Sequence, residues 1–112
     1  MQLSINRESL LKAINLIAKA ADKRHNMVIL GNIKLQLSES QLILTASDLE
    51  VELTSILKLP AGACVAAGTT TLPATKLKDI CKSLPDGCDI EFTQDDQRVI
   101  VRSGRSRFTL ST

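Results

Sequence analysis

Apolar and polar residues alternate along this chain with a period that switches from strand-like to helical and back, twice over and in the same order. Residues 1–5 read as a short strand. Asn6 then offers the short side-chain oxygen that accepts from free N–H groups at a helix start, and Glu8 suits the positive end of a first turn. Leu10, Ile14, Ile17 and Ala21 follow at helical spacing, and the polar run Asp22, Lys23, Arg24, His25, Asn26 ends the stripe. Three strands are predicted next. Ile33, Leu35 and Leu37 alternate with Lys34 and Gln36. Leu42 and Leu44 come after a turn at residues 38–40, and Leu49, Val51 and Leu53 mark a third strand that extends towards Leu59.

Pro60, Ala61 and Gly62 break the pattern, after which the order repeats. Residues 64–72 favour a strand, and Pro73 is placed to open a helix at the first position, where its missing N–H costs nothing. Leu77, Ile80, Cys81 and Leu84 form the apolar stripe of that helix, which Pro85, Asp86 and Gly87 stop. Three alternating segments follow, carried by Ile90 and Phe92, Val99 and Val101, and Phe108 and Leu110, with turns at residues 94–97 and 103–104. Residues 1–60 and 61–112 therefore each read strand, helix and three strands, a repeat of pattern with little identity of residues. The predicted fold class is α+β: two such halves forming antiparallel sheet with two helices on one face.

The 112 residues, 44% of them hydrophobic, suffice for one domain with a real core, and a net charge of +2 argues against disorder. No stretch approaches the roughly 18 apolar residues of a membrane span, and no basic-then-apolar leader opens the sequence. The expectation is a soluble, cytoplasmic protein with no membrane partner. Aromatic residues are 2% of the chain, too few for a protein that stacks single-stranded bases on rings.

The residues that could carry catalysis do not assemble into a site. Cys64, Cys81 and Cys88 are spaced too widely for a structural zinc site, and His25 is the lone histidine. Cys81 falls on the apolar side of its helix, as a buried inert thiol does; a thiol enzyme built on Cys81 or Cys64 would need a base such as His25. Phosphate-cradling glycine motifs are missing. Asp48, Glu50 and Glu52 recur every second residue, with Leu49, Val51 and Leu53 between them, which is a solvated sheet face rather than a magnesium site. Neither a catalyst, a metal nor a cofactor is expected.

Charge is distributed unevenly. Residues 98–112 hold Arg98, Arg102, Arg105 and Arg107 and no acid, so the rest of the chain sums to −2. On the first helix Lys12, Asn15 and Lys19 lie opposite the apolar stripe, and Lys23 and Arg24 continue the line. On the second, Thr75, Lys78 and Lys82 do the same. Lysines decorate many exposed helices, but two helices that are cationic on the same side suit a polyanion gripped through its phosphates without regard to sequence. The chain stops at Ser111 and Thr112 directly after an apolar strand, as expected of a domain cut from a longer polypeptide.

An ordered set of short strings resembles one family throughout. Val101-Arg-Ser-Gly-Arg-Ser-Arg-Phe-Thr-Leu-Ser-Thr112 is similar to the end of the first domain of the bacterial DNA polymerase III beta subunit, the sliding clamp. So are Ile29-Leu-Gly-Asn32, Leu44-Thr-Ala-Ser-Asp-Leu-Glu50, Leu72-Pro-Ala-Thr-Lys76 and Asp79-Ile-Cys81. The resemblance implies a non-catalytic processivity factor: three domains per chain and two chains, head to tail, close a ring with sheets outside and helices lining a hole for duplex DNA. Arg24 matches a loop arginine that touches duplex DNA in the family; Lys12, Lys19, Lys23, Lys78 and Lys82 come from the stripes instead. Lys76, Ile80, Arg105, Arg107, Phe108 and Leu110 match the edge that meets an acidic edge of the second subunit. The replicative polymerase and clamp loader bind later domains that this chain lacks. Where the family often has proline in a Leu-Pro-Ile-Leu stretch, this chain has Met27-Val28-Ile29-Leu30, which implies a less rigid loop beside Arg24. The alternative from the charge pattern alone is a small stand-alone basic domain that binds a nucleic-acid backbone from one side.

Overall fold

The computed structural model describes residues 1–23, 32–47 and 52–111, the side chains of residues 18–23 and 47 excepted. Eleven elements follow one another: β1 (Gln2–Asn6), α1 (Arg7–Lys23), β2 (Asn32–Leu37), β3 (Gln41–Ser47), β4 (Glu52–Lys58), β5 (Cys64–Ala66), β6 (Gly68–Pro73), α2 (Ala74–Ser83), β7 (Asp89–Asp95), β8 (Arg98–Ser103) and β9 (Ser106–Ser111). The α+β class holds; the first half runs strand, helix and three strands, and the second does so with two strands, β5 and β6, ahead of its helix.

The halves do not each build their own sheet. One sheet runs β5-β1-β7-β8-β9 and the other β4-β3-β2-β6, all neighbours antiparallel. Each three-strand meander is completed by a strand from the other half: β1 pairs with β7, Ile5 opposite Ile90, and β6 pairs with β2, Ile33 opposite Leu72. The predicted strand at residues 64–72 is consequently two. Its first part borders β1, its second borders β2, and the chain passes from one sheet to the other at Ala67. Gly68 sits at this crossing because Met1 lies over it. A Cβ there would stand 3.1 Å from the Met1 Cβ.

Helix starts and strand faces follow the local chemistry. Asn6 Oδ1 accepts from the backbone N–H of Glu8 at 2.9 Å and of Ser9 at 3.3 Å, capping α1 as its sequence predicts. Pro73 stands one position earlier than expected: it is the N-cap of α2, in extended conformation, and still closes β6 opposite Asn32. Leu10, Ile14 and Ile17 of α1 and Leu77, Ile80, Cys81 and Leu84 at α2 join the inward residues of both sheets in one hydrophobic core. Phe92, Val99 and Val101 are fully enclosed within it. α1 packs on β1, β3, β4 and α2, and α2 on β6. In β4 only alternate residues are half-buried, Leu53, Ser55 and Leu57, and Glu52 is exposed as a solvated face requires. Asp48, Leu49, Glu50 and Val51 lie outside the described residues, as do Arg24, His25 and the stretch 27–30.

Candidate nucleic-acid interface

Two surfaces hold the cationic side chains that the sequence singles out. The first is the solvent side of the helix pair. Lys12 and Asn15 are exposed on α1, and Thr75 and Lys82 on α2, while Lys78 is half-buried. Because the core-facing stripes pin both helices against the sheets and α1 packs against α2, these residues stand on two helices in contact, turned away from the core. Lys19 and Lys23 belong to α1, with their side chains outside the description, and Arg24 lies outside the described residues altogether. The α1 surface is less uniformly basic than its lysines suggest. Leu16 is 55% exposed and, with Glu8, Leu11, Lys12 and Asn15, lines a shallow depression on the helix flank.

The second surface is the β9 edge. Among the described residues this strand has one hydrogen-bonded neighbour, β8, and lies beside β6 without pairing to it. Arg105, Arg107 and, on α2, Lys76 are exposed. Phe108 is half-buried and packs against the core from the edge, so it serves the interior and still offers surface. Ile80 and Leu110 are 7% and 6% exposed; they are core residues of this domain and back the edge rather than project from it. Arg102 of β8, likewise exposed, stands directly opposite Arg107 across the hairpin that turns at Gly104.

The thiols have the environment of structural cysteines. All three are free, Cys81 is buried, and Cys64 and Cys88 are half-buried against the core. Burial pushes the Cys81 thiol up to about 11, against the opposing pull of the Arg7 guanidinium and helped by the nearby Cys88. A thiol so held is protonated at neutral pH and a poor nucleophile. Among the described residues no group of three or more His, Cys, Asp or Glu side chains is placed to hold a metal ion.

The two-sheet α+β fold with paired helices is that of solved sliding-clamp subunits. The chain belongs to the family described as DNA polymerase III beta subunit, N-terminal domain, whose model matches residues 1–112. It is 46% identical over 112 residues to the beta sliding clamp of Pseudomonas putida and 41% identical to that of Escherichia coli. Each match covers all of this chain and 30% of the relative. Among solved structures, the DNA polymerase III subunit beta of Pseudomonas aeruginosa superposes with a TM-score of 0.85 at 43% identity, covering 99% of this chain and 29% of that one. The pol III beta of Caulobacter crescentus gives 0.82 at 35% identity, again with 99% and 29% covered. The chain thus spans about 30% of the length of the curated relatives it matches. The stand-alone basic domain finds no support in these likenesses.

Proposed function

We propose that this chain acts as the first domain of a beta sliding clamp, a non-catalytic accessory of a bacterial replicative DNA polymerase in the cytoplasm. The ring is formed with further domains and a second, head-to-tail subunit; it encircles duplex DNA and makes synthesis processive by tethering the polymerase. The observation that carries this reading is the full-length family match, residue 1 to residue 112, on a fold that superposes on solved clamp subunits.

The helix faces supply the DNA surface: Lys12, Lys78 and Lys82, with Lys19, Lys23 and Arg24, contact phosphates and not base edges, so binding is indifferent to sequence and falls with salt. The β9 edge supplies the closure with the second subunit, through Lys76, Arg105 and Arg107 at the polar rim, Phe108 in the apolar centre, and Ile80 and Leu110 behind it. The polymerase and clamp loader dock on later domains. No helix among the described residues is long and apolar enough to cross a membrane, and no membrane partner is proposed.

The test is topological. The full-length polypeptide carrying this domain, loaded on closed circular duplex DNA, should be retained through gel filtration and released once the circle is cut at one site. Retention that survives linearisation would defeat the ring.

A further inference from the structure

The turn that follows α2 holds the one Asp-Gly pair of the chain, Asp86 and Gly87, and the sequence has no Asn-Gly. In such a pair the glycine, lacking a Cβ, lets its backbone nitrogen come close to the carboxyl carbon of the preceding side chain. Gly87 has a φ of +77° and nothing within 4 Å of where a Cβ would stand, so no neighbour crowds the junction. The Asp86 side chain is 95% exposed. Both reacting groups are nonetheless engaged. The Gly87 N–H donates to Glu8 Oε1 at 2.8 Å and Oε2 at 3.0 Å, and Asp86 Oδ1 accepts from Arg7 Nη1 at 2.8 Å. Arg7 and Glu8 also pair with each other, at 3.0 Å. Two consecutive residues at the start of α1 thus hold the nucleophile and the electrophile of a turn 79 positions away, each in its own hydrogen bond.

We propose that Asp86 is a site of spontaneous isoaspartate formation, and that Arg7 and Glu8 guard it in the folded chain. The reaction needs no co-reactant but water. The Gly87 nitrogen attacks Cγ of the neutral Asp86 acid; the N–Cγ bond forms, and the carboxyl hydroxyl leaves as water with the proton from nitrogen. The product is a five-membered succinimide. Water then adds at Cγ, which restores aspartate, or at the main-chain carbonyl carbon of Asp86, whose bond to the Gly87 nitrogen breaks. The second route sends the chain through Cβ and Cγ, one atom longer, and leaves the α-carboxylate as the side group. Attack requires the Gly87 amide plane to turn and Asp86 to leave its partner, and each motion breaks a charge-assisted hydrogen bond. The lengthened turn would draw Gly87 from Glu8 and displace Cys88, whose carbonyl accepts from the Arg7 N–H at 2.9 Å. The guard therefore preserves the junction of α1, α2 and β7, and the inference stands apart from the ring and its DNA.

The test is a timed incubation of the chain at mildly acidic pH. Isoaspartate is counted by enzymatic methylation of its free α-carboxylate and placed at residue 86 by electron-transfer fragmentation. The parent chain should form it at least tenfold more slowly when folded than in urea, where the guard is gone. Glu8→Ala, which removes both acceptors, should form it at least threefold faster than the parent under folding conditions. Leu44→Ala weakens the fold from the fully buried centre of β3, in the other sheet, and leaves Arg7 and Glu8 in place. Its rate should stay near that of the parent, which separates the guard from general stability. Equal rates in the folded and unfolded chain, or an equal rise in Leu44→Ala and Glu8→Ala, would overturn the proposal. So would slower formation in Glu8→Ala, because the carboxylate would then be a base that promotes the attack.

Discussion

The Arg7 Nε–H donates to the Cys81 carbonyl oxygen at 2.7 Å, joining the first residue of α1 to the last full turn of α2 across 74 positions of sequence. The same residue donates its backbone N–H to the Cys88 carbonyl at 2.9 Å, and its Nη1 reaches Asp86 at 2.8 Å and Glu8 at 3.0 Å. Glu8 in turn accepts from the Gly87 N–H with both carboxylate oxygens, at 2.8 and 3.0 Å. A carbonyl left over at the end of one helix is thereby satisfied by a cation from the start of another. The Arg7 side chain is only 12% exposed, so water replaces it poorly. Arg7→Gln is expected to lower the urea midpoint, because a helix-end carbonyl and two carboxylates lose their charged donor together. An unchanged midpoint would show that the contact ties nothing.

Glu8 predicts the acid limb of the stability curve. Its carboxyl lies below the ordinary glutamate value, chiefly through the Gly87 N–H and then through Arg7. A depressed carboxylate stabilises the fold above its unfolded value of about 4.3, and that stabilisation is lost as pH falls through the folded value. The gap in urea midpoint between the parent chain and Glu8→Gln should therefore be constant near neutrality and shrink below about pH 4.3. A gap that persisted at pH 2 would place the effect elsewhere.

Cys81 predicts the alkaline limb. The folded thiol ionises at about 11, and in the unfolded chain a thiol ionises at about 8.5. Above the lower value the unfolded state sheds a proton that the folded state keeps, so stability holds below about pH 8.5 and declines as pH rises towards the folded value. Cys81→Ala should flatten this decline while lowering stability at neutral pH through the cavity it leaves. Urea midpoints taken from pH 7 to 10.5 separate the two effects.

Core packing is tested by opposite expectations at two buried sites. Leu77 is fully enclosed, and Leu77→Ala should cost about 2–5 kcal/mol. Thr70, on β6, is 5% exposed, and its Oγ1 has no hydrogen-bond partner among the described residues. Removing an unpaired buried hydroxyl relieves a desolvation penalty, so Thr70→Val should raise stability by about 1 kcal/mol. A clear loss there would reveal a partner for the hydroxyl.

Charge on the proposed surfaces gives the last pair. In the full-length polypeptide Arg105→Glu should weaken the dimer at low concentration, seen by sedimentation, without changing the melting of the monomer. Lys12→Ala should reduce the salt slope of duplex binding by about 0.9, the change expected for one lost phosphate contact, and equally for all DNA sequences. An unchanged slope would remove Lys12 from the DNA surface.

The sequence by itself determined what is local. The Asn6 cap, the inward stripe Leu10–Ile14–Ile17, the stop of α2 ahead of Pro85, Asp86 and Gly87, and the alternation Ile90, Phe92, Val99, Val101 each depend on neighbours within a turn of helix or a hairpin, and each was legible. So was the family, because short strings in fixed order are themselves local. Only the tertiary structure decided which strands meet. An alternating strand shows which of its faces is buried but not which edge it joins, since backbone hydrogen bonds carry no residue code. Nothing in Leu3 and Ile5 specifies Phe92 and Ile90 as partners over the strands of their own half. The exchange of β1 and β6 between the two sheets, and the turn from one sheet to the other at Ala67, follow from burying both helices in one shared core. The same is true of Arg102: its charge was visible in the chain, and its place beside Arg107 came with the register that the folded hairpin imposes.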